Sequence, residues 1–223
     1  MENKTKGTAK NARSVAVKTP EGMHKGNRVK TRASRFNSVK HDGQTLEAEP
    51  ETADPNSLLM LFELELKGIY NVEKQLLKAL PEMAKLVSNE ELKKAFMHHQ
   101  QQTERHIERL ENIFNRMRID REETKCLVME VLIQEGKKLV QKFEEGPVKD
   151  AAAIVAAQKI EHFEICVYGC LYEIADVLGY HKIADILDKT LFEEKNTDAH
   201  FSEIARWIHD HACNEAEMQL LQN

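Results

Sequence analysis

The chain has 223 residues, 41 % hydrophobic, 31 % charged and 6 % aromatic, which allows one large domain or two small ones with a real core. Nine Gly and five Pro are few for an all-β fold, and no apolar run approaches the roughly 20 residues that cross a bilayer, so no membrane-spanning helix is expected. The formal charge of −5 hides an asymmetry: residues 1–40 carry eleven Lys and Arg against two acids, a net of +9, and the other 183 residues sum to −14.

Residues 1–55 are dominated by Lys, Arg, Thr, Asn, Gly and Ser, followed by an acidic stretch at Glu47, Glu49, Glu51 and Asp54. Such a segment buries too little apolar surface to offset its ordering entropy, which predicts a disordered basic tail and an acidic linker. It has no apolar centre of a secretory signal and no clear amphipathic period of a transit peptide. The four cysteines, Cys126, Cys166, Cys170 and Cys213, form no C-x-x-C pair and read as reduced thiols of a cytoplasmic protein.

Asn56 or Ser57 is placed to cap a first helix whose stripe runs Leu58, Leu61, Phe62, Glu65, Leu66, Ile69, Val72, Glu73, Leu76, Leu77 and Leu80. Pro81 falls inside this pattern and marks either a kink or a new first turn. Ser88-Asn89-Glu90-Glu91 opens a second helix with Leu92, Phe96, His99, Thr103, His106, Ile107, Leu110 and Phe114 on one side. One or two shorter helices are expected over 126–146, ended by Gly146-Pro147. A third long helix spans about 149–178 with Gly179 at its end, and a fourth runs from about 181 to 211. Two hairpins joined by one long crossover predict an all-α, ferritin-like four-helix bundle over 56–212, with 213–223 as a C-terminal extension.

The stripes are interrupted by polar residues at matched heights. Glu73 interrupts the first helix, while His99, Thr103 and His106 share a face of the second. Glu161 and Glu164 lie one turn apart on the third, as do Glu194 and Asp198 on the fourth. With a rise of about 1.5 Å per residue, the two turns near 88 and 179 set Glu73 opposite Thr103, Glu161 opposite Thr197 and Glu164 opposite Glu194. Buried carboxylates at one level repel unless cations neutralise them, which points to two divalent ions held by carboxylates and imidazole. The alternative is that these glutamates sit on stripe edges and reach solvent. Cys166 and Cys170, at i and i+4, read as structural thiols or as metal ligands. Tyr70 and Tyr168 read as core residues, with a redox or hydrogen-bonding role near the metals as the alternative.

Residues 61–76 (Leu61-Phe62-Glu63 through Lys74-Gln75-Leu76), His99 with Thr103, Lys125-Cys126, Ala157 through Glu164 with Tyr168-Gly169, and Glu193-Glu194-Lys195 with Asp198 form five motifs in order. Together they resemble the YciE/YciF-like stress-protein family of the ferritin-like superfamily. The resemblance covers about 57–207 and implies a dimer-forming bundle, similar to rubrerythrin, with a di-iron or di-manganese site and induction under stress. The residues it carries over are Glu65, Glu73, His99, Glu161, Glu164, Glu194 and Asp198. Gly68 stands where the family usually has Asp, and the superfamily's Glu-x-x-His is replaced by Thr103 before His106 and by Glu194 with Thr197 and Asp198.

Two functions follow as expectations. In the first, Fe(II) or Mn(II) is held by Glu73, His99, Glu161, Glu164 and Glu194, with Glu161 bridging and His106 and Asp198 contributing, and reacts with dioxygen or peroxide. In the second, a non-enzymatic helical homodimer serves as a scaffold, and residues 1–40 contact nucleic acid non-specifically through phosphates. Phosphate-cradling Gly-rich loops, a nucleophile elbow and zinc-ligand spacing are not seen.

Overall fold

In the computed structural model, which describes residues 57–221 with the exception of residue 123, the Ser57 hydroxyl accepts the Met60 N–H at 3.2 Å and opens α1 (Leu58–Leu86). The tail and linker expected over 1–55, and any nucleic-acid contact through 1–40, lie outside the described residues. α1 runs through Pro81 without ending. Asn89 caps α2 (Glu90–Met117) by accepting the Leu92 N–H at 2.9 Å. The crossover holds one helix, α3 (Leu127–Val140), and Pro147 occupies the first turn of α4 (Pro147–Val177), where its missing N–H costs nothing. Gly179, at φ +80°, ends α4: its N–H bonds the Asp176 carbonyl at 2.9 Å and the next N–H, from Tyr180, bonds Ala175 at 2.8 Å. This paired closure needs the left-handed backbone that glycine adopts freely.

α5 (His181–Leu221) continues past the expected end near 211, since the following segment is rich in Ala, Glu, Met and Leu and has no Gly or Pro to stop it. All five helices of the described residues thus derive from the 3.6-residue period. α1 packs on α2 and α4, α5 packs on α4 and α2, and α3 covers α4 and α1. The order around the bundle is α1, α2, α5, α4.

The arc of α1 that is buried is narrower than its stripe. Phe62, Leu66, Ile69, Glu73 and Leu76 are inside, whereas Leu58, Leu61 and Glu65 are exposed. A set at both i+3 and i+4 wraps more than half the helix circumference, and only its centre meets neighbours. Phe96, Phe114, Leu171, Phe201 and Ile208 complete a core in which each large side chain contributes about 1.5–3 kcal/mol through burial.

One polar side chain sets the register. Asp150, buried in the first turn of α4, accepts the Ser88 N–H at 2.8 Å, the Ser88 hydroxyl at 2.8 Å and the Asn89 N–H at 2.9 Å. The end of α1 is thereby tied to the start of α4, so the two helices run antiparallel and their middles coincide.

Candidate metal centre

At those middles, four helices turn acids and imidazoles inward. His99 and His106 come from α2, two turns apart on one face, so both meet the core. α1 supplies Glu73, α4 supplies Glu161 and Glu164, and α5 supplies Glu194. All six are at most 1 % exposed.

The side chains form two groups. His99, Glu161, Glu164 and Glu194 each offer a donor atom, all within 4.8 Å of one another, and Glu73, His106 and Glu194 do the same. Glu194 belongs to both. Its Oε2 lies 3.9 Å from His99 Nδ1 and its Oε1 lies 2.9 Å from His106 Nδ1. His99 Nε2 is 3.4 Å from Glu161 Oε1 and 3.9 Å from Glu164 Oε2, and His106 Nδ1 is 3.3 Å from Glu73 Oε1.

Around these groups stands a ring of supporting contacts. His106 Nε2 meets Glu193 Oε2 at 2.9 Å. Arg109 holds Glu193 with two bonds, Nη1 to Oε2 at 2.7 Å and Nη2 to Oε1 at 2.8 Å, and donates from Nη1 to the Thr190 hydroxyl at 3.0 Å. The Tyr168 hydroxyl, fully buried, donates to Glu73 Oε1.

Burial and crowding act strongly on the ionisable groups. Burial, then the charge of Glu194, pushes Glu161 and Glu164 well above the usual carboxylate range. Burial also raises Glu73, against the opposing pull of His106. Burial drives His99 down to about 4, only partly countered by Glu194. Burial would lower His106 too, but the charge of Glu73 and hydrogen bonding from Glu193, with the close carboxylates of Glu194 and Glu73, lift it to about 11. Burial and the Glu73 charge raise Tyr168. Glu193 is held far below its ordinary value, burial being outweighed by hydrogen bonds from His106 and Arg109.

The polar atoms left without hydrogen bonds make the chemical case. Among the described residues, the buried side-chain atoms without a partner are Glu73 Oε2, both nitrogens of His99, Thr103 Oγ1, His106 Nδ1, Glu161 Oε2, and both oxygens of Glu164 and of Glu194. All but Thr103 Oγ1 come from these six residues, and Thr103 lies between the two histidines on α2. Each such group carries a desolvation cost of about 1–3 kcal/mol, more when charged. The donors are carboxylate oxygens and imidazole nitrogens with no thiolate among them, a set suited to divalent iron, manganese or zinc and poorly suited to Cu(I). Four carboxylates match the charge of two divalent ions, and Thr103, in place of a fifth acid, keeps that balance.

Of the residues read from the sequence, Glu73, His99, His106, Glu161, Glu164 and Glu194 come together. Asp198 does not join either group: partly exposed, it accepts from Gln158 Nε2 at 3.2 Å and lies 3.7 Å from the exposed His162. Four residues on from Glu194, it is rotated by about 40° toward the helix flank, enough to take a carboxylate out of the core. Glu65, carried by the resemblance, is exposed. Glu161, expected to bridge, belongs to one group, and Glu194 is the residue shared. Cys166 and Cys170 are exposed, so they are not structural core thiols. Glu193 and Arg109 went unread as site residues. The available signal was Arg109, one turn past His106 on the same face.

The chain belongs to the YciE/YciF-like family, described as a domain of unknown function (DUF892), which residues 57–214 match. Protein YciF of Escherichia coli strain K12 is 43 % identical over 143 residues, covering 63 % of this chain and 85 % of that protein. The crystal structure of the E. coli stress protein YciF aligns with a TM-score of 0.67 at 38 % identity, over 70 % of this chain and 98 % of that one. YcfI of Rhodopseudomonas palustris aligns at 0.65 and 31 %, over 68 % of this chain and 96 % of its own. A Xanthomonas campestris protein, at 17 % identity and a TM-score of 0.53, shares the fold alone.

Proposed function

We propose that this bundle holds a pair of divalent iron or manganese ions and uses them in redox chemistry on dioxygen. The observation that carries the reading is Glu194, common to two buried groups of donor atoms whose lone pairs have no other partner. One ion would be held by His99, Glu161, Glu164 and Glu194, and the other by Glu73, His106 and Glu194. Bound as Fe(II), such a pair would offer the two electrons that, with two protons, convert dioxygen to hydrogen peroxide.

The protein's part is to bind, orient and exclude water. Glu193, 2.9 Å from His106 Nε2, orients the imidazole so that Nδ1 turns toward the ion that Glu73 and Glu194 would share with it. Arg109 holds Glu193 by both oxygens and neutralises it. Tyr168 steadies Glu73 through one oxygen and leaves the other for an ion. Phe96 and Phe201, in contact at 5.3 Å, help to close the core beside the acids. Among the described residues no helix is long and apolar enough to cross a membrane.

Metal analysis of protein purified without chelator, with Fe(II) and Mn(II) titrations, tests the reading. About two equivalents per chain are expected, as in carboxylate-bridged bundles. A chain that carries no metal and refuses both ions overturns it.

A further inference from the structure

Resting on that reading, we propose that a small apolar cavity beneath α3 is the docking site from which dioxygen reaches the metal ligands. The cavity, about 20 Å³, lies between α1, α2, α3 and α4, with Leu76, Ala79, Phe96, Ile133 and Ala157 among its walls. Glu161 is the single ionisable side chain in that wall. Its carboxylate belongs to the donor set on one side, with Oε1 3.4 Å from His99 Nε2, while the side chain borders the cavity on the other.

The cavity exists because α1, α3 and α4 each contribute small residues to its wall. Ala79 on α1 and Ala156 and Ala157 on α4 leave a gap that Leu or Met would fill. Gly136 on α3 lets the crossover helix press down on it: an added Cβ there would sit 3.0 Å from the Ala156 Cβ. Close packing is the rule in protein interiors, so a retained gap beside a functional group asks for an occupant.

Size and polarity select that occupant. The volume accommodates one small molecule, little more than a water. Water or hydrogen peroxide placed there would lose hydrogen bonds to apolar walls at about 1–3 kcal/mol for each group left unpaired. Dioxygen has none to lose. The cavity therefore fits dioxygen and disfavours the peroxide that shares its reaction class.

Dioxygen is paramagnetic, so the metal-free full-length chain can be examined directly by methyl NMR under increasing dioxygen pressure. The Ala79, Leu76 and Ile133 methyls should show relaxation enhancement several times that of Ile69 and Ile113, which are buried elsewhere in the core. Ala79→Leu should abolish the excess. It should also slow dioxygen-dependent Fe(II) oxidation with iron stoichiometry unchanged. Ile133→Phe, which fills the gap from α3, serves if Ala79→Leu does not fold. Equal enhancement at all buried methyls overturns the docking site, as does a filled cavity with unchanged oxidation kinetics. Metal uptake is read separately: cavity methyls that respond in a chain that binds no iron overturn the di-metal reading, and the delivery role with it.

Discussion

His106 Nε2 and Glu193 Oε2 are joined at 2.9 Å, and this bond decides which imidazole nitrogen faces the acids. Glu193→Gln removes the negative charge and allows the side-chain amide to donate, so that the ring no longer keeps one tautomer. Affinity for the ion held by Glu73, His106 and Glu194 should fall about 10- to 100-fold, the usual cost of losing such a supporting carboxylate. The ion on His99, Glu161 and Glu164 should be held nearly as before. A two-phase calorimetric titration with Mn(II) separates the two, and a uniform loss at both would assign Glu193 a purely structural role.

Sharing of Glu194 makes its substitution unlike the others. Glu194→Ala should abolish binding of both ions, whereas Glu161→Ala should remove one. Elemental analysis after Fe(II) loading and gel filtration reads the difference. Retention of full stoichiometry in Glu161→Ala would sink the assignment of that residue as a ligand.

Without metal, the same acids strain the core. Glu164→Gln replaces a buried carboxylate, neither oxygen of which has a hydrogen bond, by a neutral isostere. The metal-free variant should gain about 1–2 kcal/mol in urea unfolding while losing metal affinity, the trade expected of a functional polar group. A loss of stability in the metal-free state would mean that the carboxylate is already well satisfied.

The pH dependence follows from the shifted groups. His106 at about 11, and Glu73, Glu161 and Glu164 above their ordinary values, all bind protons more tightly folded than unfolded. Their contribution is present at low pH and is lost as pH rises toward the folded values. His99, at about 4 against 6.5 unfolded, acts oppositely, but its contribution is already complete above 6.5. From about pH 6.5 to 9 the metal-free protein should thus lose thermal stability, while Mn(II) binding, which displaces those protons, should strengthen. Scanning calorimetry with and without Mn(II) should show the gap in Tm widening with pH. A gap independent of pH would mean that these carboxylates are ionised before metal arrives.

Asp150 offers a test away from the acids. Asp150→Ala strands two backbone N–H groups and the Ser88 hydroxyl at the α1–α2 turn. The expected loss is about 3 kcal/mol in equilibrium unfolding. Metal affinity should fall as well, because the level of Glu73 relative to Glu161 depends on that tie. A variant with wild-type stability would show that the turn is held by its own helix cap alone.

The fold was legible because a helix advances by a fixed rise, so distance from each turn gives height. Glu73 could be set opposite Thr103, and Glu164 opposite Glu194, from spacing alone. Azimuth is less readable. Asp198 shares the height of the others but sits on the flank, and Glu65 lies just outside the buried arc of α1, where a periodic pattern cannot separate neighbours some 40° apart. Glu193 was masked by its neighbour: it precedes Glu194 on a helix and turns away from the core, yet α2 places His106 and Arg109 within its reach. Asp150 opens an alanine-rich helix, where an acid reads as an ordinary first-turn residue, and its partners lie about sixty residues back.

The two histidines on α2 face one shared carboxylate on α5, and without cations the four buried acids must hold protons or repel one another. Starved of metal, the chain should open more often at its centre and fall to proteases sooner. Cellular abundance would then track the supply of iron or manganese with no change in synthesis, making turnover itself a gauge of metal sufficiency.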